Sequence, residues 1–203
     1  GTLLDLTAYF RDFELSPFNP FLEGIFYDLR GTMSGQVKID GSVTDPLMDG
    51  TLTLHKAGVG ITYLKLNTDI QEGARIKVNN KTFDIDNWLL TDTAYKTQAT
   101  LNGSIRHNRL LDWFLDLKLQ TLGKRFMVLN TSYTDDALFY GTAFMKGNAT
   151  IKGALDEIAI KVNAKTEEGT SFKIPLSDSE SVGDDSFITF IEKGDKKVKV
   201  NRA

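Results

Sequence analysis

The chain has 203 residues, 41% of them hydrophobic and 25% charged, with a net charge of −3. That length is enough to bury a sizeable core as one domain, and no basic field marks a surface for nucleic acid or acidic membrane. Cysteine is absent, which excludes disulfides and thiol catalysis, and no apolar run approaches the roughly 18–20 residues a membrane-spanning helix needs. The chain opens abruptly on Gly1-Thr2-Leu3-Leu4, so we expect a piece of a longer protein with any targeting segment upstream.

Leu4, Leu6, Ala8 and Phe10 share one side of a first strand, and Phe13 and Leu15 follow out of phase. Ser16-Pro17-Phe18-Asn19-Pro20 breaks it. Asn19 as a cap, Pro20 at the first position and Glu23 at the positive end predict a short helix near residues 20–29. Phe21, Leu22, Ile25, Phe26 and Leu29 give it an apolar stripe, and Gly31 closes it.

From Gly31 to Leu54 the sequence reads as strand, turn and strand. Val37, Ile39 and Val43 alternate with Lys38 and Asp40; Leu52 and Leu54 alternate with Thr51, Thr53 and His55. Gly41 marks a bend, and Asp45-Pro46 with Asp49-Gly50 supplies turn chemistry. Val59, Ile61 and Tyr63 continue, and the phase shift at Tyr63-Leu64 predicts a bulge. Ile76 and Val78 turn through Asn79-Asn80-Lys81 into Phe83 and Ile85, followed by Trp88 to Asp92.

Gln98–Arg106 and Trp113–Gln120 are further strands joined at Asn108–Asp112, carrying Leu101 and Ile105, then Leu115, Leu117 and Leu119. Phe126-Met127-Val128-Leu129 precedes a polar turn at Asp135-Asp136. Gly141, Gly147 and Gly153 punctuate a long run with Ala149 and Ile151, and a turn at Leu155-Asp156-Glu157 leads to Ile158, Ile160 and Val162. Phe172 and Ile174 form a short strand after the turn at Thr166–Thr170. An acidic, serine-rich loop is expected over Ser177–Asp185, then an apolar run, Phe187–Ile191, and a frayed lysine-rich end. The expectation is all-β, roughly a dozen strands. A twisted sheet of that size curls, closes or splits into two packed layers.

Chemistry-bearing clusters are missing. His55 falls on the polar side of a strand and His107 at a turn, with no cysteine or carboxylate cluster beside them to hold a metal. Asp135-Asp136 and Asp184-Asp185 read as solvated turns, because adjacent strand positions face opposite ways. Gly31-Thr32-Met33-Ser34-Gly35 lacks the lysine and helix of a phosphate loop. Trp88 and Trp113, as possible sugar platforms, lie beside apolar strand residues that favour core packing. We expect no enzyme and no cofactor.

Gly35-x-Val37-x-Ile39-x-Gly41, Asp45-Pro46, and Gly50-x-Leu52-x-Leu54 resemble the repeat of TamB-like proteins of the AsmA-like superfamily. The likeness continues through Asn130-Thr131, Leu138-Phe139-Tyr140-Gly141, Gly147-x-Ala149-x-Ile151-x-Gly153, Ala164-Lys165-Thr166 and Ile174-Pro175-Leu176-Ser177. It implies a C-terminal region of a long envelope protein of a Gram-negative bacterium, anchored in the inner membrane by a segment absent here and reaching through the periplasm towards an outer-membrane barrel partner. It also implies a long antiparallel or mixed sheet folded lengthwise into an open apolar trough, a β-taco, serving phospholipid transfer and outer-membrane biogenesis. The divisions expected are residues 1–30 (leading strand and helix), 31–191 (trough) and 192–203 (tail).

Alternation supplies a lining for such a trough: Val37, Ile39, Leu52, Leu54, Val59, Ile61, Ile76, Val78, Phe83, Ile85, Leu101, Ile105, Leu115, Leu117, Leu119, Phe126, Val128, Ile151, Ile158, Ile160, Val162, Phe172 and Ile174. At about 0.8 kcal/mol per buried methylene, such a wall would hold an acyl chain of about a dozen carbons firmly while letting it slide. Phospholipid or another acyl-chain ligand is therefore the expected occupant. Two other readings stand beside it: a scaffold that pairs with nascent barrel strands at an exposed sheet edge, and a closed β-sandwich binding module.

Overall fold

The computed structural model describes residues 3–22, 26–62, 64–109, 111–134, 137–155 and 157–175. Among these residues twelve strands form one sheet. They are β1 (Leu3–Glu14), β2 (Phe26–Ser42), β3 (Asp45–Ile61), β4 (Leu66–Ile70), β5 (Arg75–Asn80) and β6 (Thr82–Asp92), followed by β7 (Gln98–Asn108), β8 (Asp112–Thr121), β9 (Phe126–Thr131), β10 (Tyr140–Ala154), β11 (Glu157–Thr166) and β12 (Ser171–Lys173). Every pairing is antiparallel, and the main order is β1-β2-β3-β4-β6-β7-β8-β10-β11. β4 and β5 lie end to end between β3 and β6, with β4 on Gly58–Ile61 and β5 on Met48–Thr53. β9 and β12 pair with the first part of β10, and β8 takes its second part.

No second sheet covers this one among the described residues, yet Val78 in its middle is only 1% exposed. A single layer buries its centre only by curling its apolar face inward. The curl is not a closed barrel, because the strand order ends at β1 and β11 and no described pairing joins them. The result is a trough of one layer, as the resemblance implies, and not two packed sheets.

Where alternation slips, the backbone bulges. β1 gains a residue between Phe10 and Phe13, with Asp12 at φ +48°, which returns the out-of-phase Phe13 to the side of Phe10. β6 does the same between Ile85 and Trp88, with Asn87 at φ +50°.

Four local expectations are corrected. The helix near residues 20–29 shrinks to a 3₁₀ turn (Ser16–Phe18) and one turn of α-helix, α1 (Asn19–Leu22); Phe26, Leu29 and Gly31 belong to β2. Asn19 does not cap. Its side chain accepts from the Leu29 N–H and donates to the Leu29 carbonyl, both at 2.8 Å, and so stitches the helical turn onto the strand. The β2–β3 turn is the two-residue Val43-Thr44, closed by the Ser42 and Asp45 pair, so β3 starts before Pro46 and Val43 is turned outward. The slip after Ile61 is a hairpin turn through Leu64 and Lys65 and not a bulge; both devices shift the phase alike. His107 lies inside β7, 1% exposed. The expectations for Glu23, Ile25, Tyr63, Asp135-Asp136, Asp156, Ser177–Asp185, Phe187–Ile191 and the 192–203 tail fall outside the described residues.

Candidate functional site

In an antiparallel ladder, directly paired residues project to the same side. Following partners strand by strand gives Ala8, Val37, Gly50, Val78, Phe83, Ile105, Leu115, Gly153 and Ile158 as one continuous row over nine strands. The next row is Phe10, Gly35, Leu52, Ile76, Ile85, Gly103, Leu117, Ile151 and Ile160. Two half-rows follow: Phe13, Met33 and Leu54, and then Trp88, Leu101, Leu119, Ala149 and Val162. Ile39 pairs with Leu6 and Met48 one step outward. This face is apolar almost without interruption.

Its burial is uneven. Val37, Leu52 and Val78 pack together with Ile39, Ile76 and Phe83; Leu54, Ile85 and Trp88 pack with Leu101, Ile105 and Leu117. Leu115 is buried, while Val59, Ile151 and Ile158 are half-buried. On the β11 side the cover is lost: Ile160 is 63% and Val162 57% exposed. Phe172 stacks on Phe139, and Ile174 follows β12; both are exposed.

One end of the trough is sealed by the protein itself. β9 folds back from β10 towards the opposite wall, where the Asn130 N–H donates to the Leu64 carbonyl (2.9 Å) and the Met127 N–H to the Thr97 hydroxyl (2.8 Å). Phe126, Met127, Phe144, Ala99 and Leu66 fill this end, with Ile61, Leu119 and Val128 packed on them. Of the predicted lining, Phe126, Val128, Ile61 and Leu119 thus form the stopper, and the remaining rows run from it towards β1 and β11. Nothing in the alternation of Phe126 to Leu129 signals a strand buried on both sides. Its near-unbroken apolar run was the available clue.

Glycine recurs opposite bulky residues in both rows. At Gly103 (φ +133°) an added Cβ would lie 2.1 Å from the Asp116 carbonyl oxygen, so the strands approach here only because no side chain intervenes.

The opposite face is polar and ion-paired. The Arg30 guanidinium lies over Gly58 and binds Asp28, Asn67, the Thr68 carbonyl and Asp69, fastening β2 to β4. His55 Nδ1 sits 2.7 Å from Glu72, whose other oxygen accepts from the Lys56 N–H; that bond, then His55, holds the Glu72 carboxyl below its usual range. Away from the stopper, the Lys81 ammonium lies 2.7 Å from Asp45 and lowers that carboxyl in turn. On the inner face, two residues beyond Ile105, His107 packs among Phe83 and Trp113, and burial, then the Lys81 charge, pushes its imidazole below the ordinary value. Trp88, also on the inner face, is buried with its indole N–H donating to the Arg75 carbonyl (2.8 Å). Two recesses lie apart from the rows: one of about 580 Å³ beside Lys65, Asn130, Leu138 and Phe139, and one of about 280 Å³ beside Lys96, Lys124 and Arg125. No cluster of metal-binding side chains occurs among the described residues.

Residues 86–203, more than half of the chain, match the sequence model of the TamB C-terminal domain. The chain belongs to the TamB C-terminal domain family. Comparison with curated proteins and with solved structures returned no match. Membership associates the chain with outer-membrane protein assembly and envelope biogenesis in the Gram-negative cell envelope. No helix among the described residues is long and apolar enough to cross a membrane. The β6–β12 part of the trough, including the exposed β11 wall and the β7, β9 and β10 side of the stopper, lies within the TamB match apart from the first residues of β6; Ile61 and Leu66, on the other side of the stopper, precede it.

Proposed function

We propose that this TamB domain is a non-enzymatic lipid conduit segment, whose inner face shields phospholipid acyl chains between the inner and outer membranes. The observation that carries the reading is the pair of continuous apolar rows, buried at mid-sheet and left uncovered at Ile160 and Val162. Water is a poor neighbour for that wall, and acyl methylenes gain about 0.8 kcal/mol each on reaching it. The rows offer no polar group that would bind one headgroup, which suits a chain sliding lengthwise. In this reading an upstream segment anchors the protein in the inner membrane, and an outer-membrane barrel protein receives its far end.

The test is Leu117→Arg. Leu117 is half-buried between Gly103 and Ile151, so the arginine stem lies along the trough while its guanidinium reaches water. We expect the purified variant to melt close to wild type yet to lose the phospholipid that co-purifies with the wild-type chain. Lipid retained by the variant, or absent from wild type, contradicts the reading.

A second reading is favoured by the β11 edge. β11 ends the strand order with nearly all its residues exposed, which leaves a ten-residue backbone template for a barrel strand. Crosslinks from that edge to barrel proteins, with no lipid on the rows, would favour it.

A further inference from the structure

The sealed end of the trough carries a feature that the lining does not explain. The turn after β6 and the turn between β8 and β9 meet around a recess of about 280 Å³, lined by Lys96, Thr97, Gln98, Leu122, Lys124 and Arg125. Three of these side chains are cations and none is an acid. Lys96, Lys124 and Arg125 make no ion pair among the described residues, whereas Arg30, Lys38, Lys81, Lys152 and Lys165 all do. The nearest buried carboxylate is spent elsewhere. Asp92, 0% exposed, accepts from the N–H groups of Ala94, Tyr95 and Thr97 and from the Thr97 hydroxyl.

Arg125 is held in place. Its guanidinium lies 4.2 Å from the centre of the Phe144 ring, and one of its nitrogens donates to the Glu168 carbonyl. Phe144 is itself part of the stopper, so the recess and the apolar cluster share a wall. Three uncompensated cations around one recess repel each other in a chain whose net charge is −3. A bound oxyanion relieves that repulsion, and a fixed guanidinium flanked by two ammonium groups suits phosphate oxygens.

We propose that this recess binds a phosphoryl oxyanion, either the headgroup phosphate of a phospholipid or free phosphate. The headgroup version rests on the conduit reading; the phosphate chemistry does not. The test uses the purified full chain, with inorganic phosphate and monomeric dihexanoyl phosphatidylglycerol as separate calorimetric probes. Lys96 and Lys124 are exposed, so Lys96→Gln/Lys124→Gln is expected to fold, with a melting curve as the check. Lys146→Gln/Lys161→Gln, at exposed positions on β10 and β11, is the control.

We expect the double variant to bind both probes roughly tenfold or more weakly, with the control unchanged and binding weakened by added salt. Tighter binding of the lipid than of phosphate assigns the headgroup; equal binding assigns free phosphate. Either supports the site. Wild-type affinity in the double variant, an equal loss in the control, or no binding to wild type overturns it. Phosphate binding without lipid on the rows leaves the recess standing and removes the conduit; lipid on the rows without phosphate binding does the reverse.

Discussion

Val78→Ala and Ile160→Ala, taken together, measure the curl. Both residues stand on the inner face one row apart, Val78 at 1% exposure and Ile160 at 63%. Truncating Val78 removes two methyl-sized groups from water-free packing against Val37, Leu52 and Phe83, and leaves a cavity. The transfer term is about 1.6 kcal/mol and the cavity raises the total to about 2–3 kcal/mol. Truncating Ile160 removes more carbon but mostly from contact with water, so the cost stays below about 1 kcal/mol. Urea unfolding followed by far-UV circular dichroism reads both, with the midpoint falling clearly only for Val78→Ala. Equal costs would mean that the β11 wall is covered in solution. A cheap Val78→Ala would mean that the sheet lies flat, and either result refutes the curled, half-open trough.

Three further outcomes follow from the same structure. Asp92→Ala removes a buried carboxylate that accepts from three backbone N–H groups of a part-exposed turn and is expected to cost about 2–3 kcal/mol, with Asp92→Asn milder, read by thermal melting. Gly103→Ala sets a methyl against the Asp116 carbonyl at positive φ and should cost about 2–3 kcal/mol, whereas Gly123→Ala, whose added carbon meets open space, should cost about 1 kcal/mol from its φ of +62° alone. His107 has a folded-state pKa below its unfolded value, so the unfolded chain takes the proton first as pH falls. The stability held above the ordinary histidine pKa is therefore lost as pH falls through the lower folded value, and His107→Gln should flatten that part of the stability–pH curve.

Much of this architecture was legible in the residues because alternation is a local property. Val37 to Ile39, Leu115 to Leu119 and Ile158 to Val162 each announce a strand and its apolar side without reference to any partner. The helix over residues 20–29 misled because Phe26 and Leu29 fit a helical stripe as well as a strand, and only the Asn19 clasp on Leu29 and the pairing of Phe26 with Ile61 decide between them. His107 looked like a turn residue because Asn108 and Arg109 follow it, yet β7 runs on through Asn108 and packs the ring under Trp113. The stopper was illegible for a different reason. It depends on β9 reaching Leu64 and Thr97, contacts of long sequence separation that no local pattern encodes. The grouping of Lys96 with Lys124 and Arg125 depends on that same fold-back.

The most direct measurement places a photocrosslinking residue, in cells, at Leu117, Ile160 or Val162 on the inner face and at Lys118 or Lys161 on the outer face. Lys118, Thr150 and Lys161 form an outer row by their pairings, one residue away from the inner sites on the same strands. Phospholipid adducts are expected at the inner positions and not at the outer ones. Equal labelling of both faces, or none on either, would contradict the claim that acyl chains occupy the uncovered wall.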